Sequence, residues 1–107
     1  MKTINVDEVL TNMLGVIKGT VKEDWRQIKD IATEYLQSRK RRIELLVNLR
    51  LNEEISEEFF LARLEDEKVI LESELLSISI VSKAIAQKAA NAALDVLQKA
   101  VEVATGL

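Results

Sequence analysis

The side chains in this chain that could do chemistry are carboxylates and cations, because it contains 18 Asp and Glu and 15 Lys and Arg but neither histidine nor cysteine. Histidine acid-base catalysis, thiol nucleophiles, disulfides and the usual nitrogen-sulfur zinc sites are therefore closed to it. Carboxylates on a helical bundle raise the question of di-iron chemistry, yet such sites draw on Glu-x-x-His pairs that project into a core. Glu34, Glu44, Glu65, Asp66, Glu72 and Glu74 mostly fall off the apolar stripes and read as solvated faces. We expect no metal, no cofactor and no enzymatic activity.

The run Arg39-Lys40-Arg41-Arg42 could neutralise phosphates. The net charge of −3 creates no strong field for nucleic acid or an anionic membrane, and the acidic run Glu65-Asp66-Glu67 offers a partner within the chain. Arg39 and Glu67 both sit on apolar stripes, which marks them as a structural polar layer that fixes helix register. Gly15-Val16-Ile17-Lys18-Gly19-Thr20 ends like part of a phosphate loop, but no strand precedes it. Nucleic acid is not an expected partner.

The elements that position these residues are helices. Apolar positions recur at Leu10, Leu14, Ile17, Val21, Trp25, Ile28, Ala32 and Tyr35, then at Ile43 and Leu46, in the three-four alternation of a buried stripe. A second stripe runs through Phe60, Leu64, Glu67, Leu71, Leu75, Ile78, Ser82, Ile85, Ala89, Ala92 and Val96. Between them, Ser56 is an N-cap, Glu57 and Glu58 charge the first turn, Ile55 and Phe60 have staple spacing, and Asn52 can take the left-handed closing conformation. The spacing predicts an all-α single domain over residues 1–107: a helix over 6–51, a turn over 52–56 and a helix over 57–104. A break near Gly19 is the alternative within the first helix, where Thr20 and Glu23 could form a capping box. The segment Ser77 to Ser82 alternates like a strand, but the helical stripe passes through it, and we read it as helix.

In an antiparallel hairpin with this central turn, facing residue numbers sum to roughly 107. The basic run then faces the acidic run, and Gly15 and Gly19 face Ala89, Ala90, Ala92 and Ala93. The halves attract, since residues 1–52 carry ten basic and seven acidic side chains while 53–107 carry five and eleven.

One partner helix cannot cover the second helix. Ser77, Lys88, Asn91, Asp95, Gln98, Lys99 and Glu102 fall within roughly a third of its circumference, leaving Val81, Ala86, Ala90, Ala93, Leu94, Leu97 and Val101 as an interaction face. We expect a homo-oligomer, a dimer or higher, in which two hairpins form a four-helix bundle, or else a helical protein partner. The function this implies is a non-enzymatic assembly or protein-interaction module; the alternative is a lipid-surface binder using the same face. The first residues show no signal-peptide pattern, and charges recur too often for a transmembrane span, so a cytoplasmic location is expected.

Overall fold

The computed structural model describes residues 3–78 and 80–106, and these are all-helical apart from short turns, with no strand among them. Helix α1 spans Val6–Val21, α2 Trp25–Leu51, α3 Glu57–Leu76 and α4 Lys83–Thr105. A three-residue 3-10 turn, Lys22–Asp24, separates α1 from α2.

Side-chain caps fix three of the four starts. Asn5 accepts the Glu8 N–H at 3.0 Å, Ser56 the Phe59 N–H at 3.0 Å and Ser82 the Ile85 N–H at 3.2 Å. Behind the serine caps, Ile55 with Phe60 and Val81 with Ala86 occupy staple positions and join the core. Helix α2 closes as a Schellman motif: the Glu54 N–H donates to the Leu49 carbonyl at 2.8 Å and the Glu53 N–H to the Arg50 carbonyl at 3.1 Å. Glu53, at φ 60°, takes the left-handed position that the sequence suggested for Asn52, which stays at φ −85°.

The two expected long helices are each folded in half. A continuous helix over 6–51 would be about 69 Å long, whereas the longest extent of the molecule is 43 Å. The first break falls at Lys22, with φ 54° and ψ −117°, just beyond Gly19. No capping box forms there, because the Thr20 hydroxyl donates back to the Val16 carbonyl at 2.8 Å. The second break lies between Leu76 and Lys83, inside the segment expected to be continuous helix. Here the Ser77 hydroxyl donates to the Glu74 carbonyl at 2.6 Å and competes with the helix ladder. Ser82 then caps a new helix; Ser79 lies outside the described residues.

Folding the hairpin over at both breaks gives an up-down-up-down four-helix arrangement within one chain. Helix α1 packs on α2 and α4, α3 packs on α2 and α4, and α2 touches α4 across the diagonal. The near-constant residue sum survives this folding. Arg39 meets Glu67 between α2 and α3, and Asn5, Val9, Ala100 and Val103 line one groove between α1 and α4. The folding adds the α1–α2 pairing, in which the Lys40 ammonium sits 2.6 Å from the Asp7 carboxylate.

The small-residue seam is only half present. Ala89, Ala90 and Ala93 are buried, and beside them Leu94 and Leu97 are fully enclosed, each worth about 1.5–3 kcal/mol of burial. Gly15 and Gly19 do not face them: both are exposed, and a Cβ at either would meet nothing within 4 Å. From α1 it is Val9, Leu10, Met13, Ile17 and Val21 that are buried in the core. Substitutions at the two places should therefore act in opposite directions. Gly15→Ala should stabilise the chain by about 1 kcal/mol through helix propensity, and Ala89→Leu should destabilise it by about 1–3 kcal/mol through overpacking. Urea unfolding checks both signs.

Candidate functional site

The most chemically distinctive cluster is built around Glu67, the one charged side chain among the described residues that is buried, at 1% exposure. Its position in the α3 stripe, between Leu64 and Leu71, points the carboxylate at α2. Tyr35 and Arg39, four residues apart on α2, share the facing surface. The Tyr35 hydroxyl donates to Glu67 Oε2 at 2.9 Å, and Arg39 grips both carboxylate oxygens, Nε donating to Oε2 at 3.0 Å and Nη2 to Oε1. The Arg42 Nε stands 3.4 Å from Oε1. A buried carboxylate is costly unless paired and hydrogen-bonded, and this one is both.

This environment also sets proton affinities. Burial, and then the Glu67 charge, push the Tyr35 hydroxyl well above the ordinary tyrosine range. The hydrogen bond from Arg39 to Glu67 raises the guanidinium further still, so its charge is fixed. A phenol that resists ionisation is poorly suited to proton transfer near neutrality. What the cluster can do is lock α2 against α3 at one register.

Arg39 and Glu67, the pair expected from the sequence, are brought together by the structure. Tyr35 is a further partner that the spacing did not reveal, since it reads as plain core; its shared face with Arg39 was the available signal. Arg42, within the basic run expected to face the acidic one, also reaches Glu67. The basic run does not serve one neighbour only. Arg39 and Arg42 turn to Glu67, while Lys40 turns to Asp7 on α1 and Glu44 on its own helix. The other two members of the acidic run pair within α3, Asp66 with Arg63 and Glu65 with Lys68. Among the described residues no three carboxylates converge as a metal set, and no helix is long and apolar enough to cross a membrane.

The seven residues assigned to an interaction face are placed differently. Val81, Ala86, Ala90, Ala93, Leu94, Leu97 and Val101 are all buried in the core of the single chain. Folding at the two breaks lets α1, α2 and α3 cover the surface of α4 that one partner helix would have left open.

A different apolar face remains uncovered. On α3, Phe59, Ala62, Asp66, Val69, Ser73 and Leu76 follow at intervals of three and four, and all are exposed. At 100° per residue they fall within roughly 100° of arc, about opposite the buried stripe. Val69 is 62% exposed, Phe59 47% and Leu76 38%, and the Arg63 guanidinium lies 5.0 Å from the centre of the Phe59 ring. Ile80, in the turn beyond, is also exposed. The signal available in the sequence was its three-four spacing on the side of α3 opposite the buried stripe.

Comparison with protein families, with characterised proteins and with solved structures finds no significant match.

Two outcomes test the cluster. Glu67→Gln should cost about 1–3 kcal/mol, since charge-assisted bonds become neutral in a buried site, with the loss read as a lower urea midpoint. For Tyr35, the raised affinity means that the folded state holds the proton more tightly than the unfolded chain. Its stabilising effect is complete below the unfolded value of about 10 and is lost as pH rises beyond it. The stability gap between the wild type and Tyr35→Phe should therefore shrink by about 1 kcal/mol between about pH 9 and pH 11. Because the chain has one tyrosine, tyrosinate absorbance should appear only as the protein unfolds.

Proposed function

We propose that this chain is a non-enzymatic helical interaction module that self-associates, with the outward face of α3, and not the enclosed face of α4, as its docking surface. The observation that carries this reading is the outward row of α3, where the large apolar side chains Phe59, Val69 and Leu76 are exposed among Ala62, Asp66 and Ser73, on the side opposite the buried stripe. Solvated helices usually keep one apolar side, and a second one at three-four spacing suits another helix laid alongside.

Charge favours a second copy as the occupant. Helix α3 carries seven acidic and two basic residues, with Glu58, Glu65 and Glu72 flanking the row at heptad spacing, whereas α2 carries seven basic and three acidic. Arg41, Arg42 and Leu45 are exposed on α2. Two copies related by a two-fold axis can therefore lay α3 of each against α2 of the other, acidic on basic, in an isologous contact.

Light scattering across a concentration series tests the proposal. Wild type should associate, and Val69→Glu or Leu76→Glu should weaken association at least tenfold while leaving helical circular dichroism unchanged. A wild-type monomer at all concentrations, or mutants that associate as well as wild type, would remove the α3 face from consideration. The same series with anionic vesicles reads out the alternative: a monomer that moves onto vesicles would reassign the row to a lipid surface.

A further inference from the structure

We infer that the chain can exchange its first helix with a second copy: α1 leaves its own bundle and fills the α1 position of the partner, on the partner's α2 and α4. This goes beyond the α3 contact and rests on different residues. Three observations carry it, all at the junction of α1 and α2.

The hinge is almost nothing but helix. Helix α1 runs to Val21, a 3-10 turn covers Lys22–Asp24 and α2 begins at Trp25, so no loop intervenes. Ile17, Val21, Trp25 and Ile28 continue the helical stripe through it at intervals of four, four and three, and the chain contains no proline to forbid a straight path.

The fold-back is also concentrated in a residue ill-suited to it. Lys22 holds φ 54° and ψ −117°, the dihedral pair of the first central residue in a type II′ turn, where glycine is preferred. A side chain carrying Cβ is strained there, and a straight helix would relieve that strain. Short hinges under strain are the setting in which identical elements exchange between copies.

Exchange also loses no interhelix contact. The α1 core residues Leu10, Met13 and Ile17, and the ion pair of Asp7 with Lys40, would be re-formed with the partner. The closed and exchanged forms therefore differ in the hinge and in association entropy, so hinge chemistry and concentration decide between them.

Spin labels at Thr11→Cys and Gln37→Cys read the difference, because the chain has no cysteine of its own. Both residues are exposed and line the same α1–α2 cleft, so they are close in the closed form. In an exchanged chain the roughly 26 residues of continuous helix between them separate the labels by about 39 Å. The labelled chain is refolded with excess unlabelled chain, in a Val69→Glu background that suppresses the α3 contact. In Lys22→Ile the dimer fraction should exceed that of Lys22→Gly at least tenfold, because a β-branched residue is an outlier at positive φ and glycine is not. The dimers should show the long intrachain distance. Lys22→Ile dimers that keep the short distance, or a folded Lys22→Ile monomer, would overturn the inference. Should Lys22→Ile fail to fold, the Val69→Glu chain with its native Lys22 serves: refolded at millimolar concentration it should yield slowly dissociating dimers with the long distance, and their absence would overturn the inference. Association of the original chain that is insensitive to Val69→Glu would instead count against the α3 reading alone.

Discussion

The structure depends on enclosing α4. Its polar residues occupy a little under half of its circumference, about 160°, and most of the rest, led by Ala86, Ala89, Ala90, Ala93, Leu94 and Leu97, leaves water. One helix covers one stripe, so a straight hairpin would leave this surface open. Doubling the hairpin back at Lys22–Asp24 and again before Ser82 surrounds α4 with the other three helices and needs no second chain to do so. Alanine at these sites permits close approach, and Leu94 and Leu97 at the following turn are fully enclosed.

Within that enclosure, the Glu67 cluster supplies direction where apolar packing cannot. Leu, Ile and Ala stripes would tolerate sliding by one helical turn, because each offers similar shapes at similar intervals. Moving α3 by a turn would take a buried carboxylate away from Tyr35 and Arg39 and leave it unpaired, which is far more costly than a shifted leucine. The cluster thus favours one register of α2 on α3.

The sequence conveyed the all-helical class and the helix start at Ser56 well, because these rest on strong periodicity and on a capping serine. It conveyed the two breaks poorly. At Lys22 the signal is weak in principle: no proline or glycine stands there, and the stripe continues unbroken. At Ser77–Ser82 a signal existed in Ser82, which caps like Ser56, but the continuing apolar period outweighed it. Preferring a continuous helix at both places, with the break near Gly19 only as the alternative, put the α4 residues on an outer face when they are core. Arg39 and Glu67 were legible because a charged residue within an apolar stripe needs a partner; Tyr35 was not, because a tyrosine at core spacing looks complete without one.

The groove shared by Ile4, Asn5, Ala100 and Val103 shows that the two ends of the helical order meet at one end of the bundle. Tension applied between them would act across the α1–α4 pair, pulling the helices apart from that end and loading one turn at a time. Contacts broken in succession resist far less than contacts broken together, so the bundle is mechanically soft along this axis whatever its thermodynamic stability.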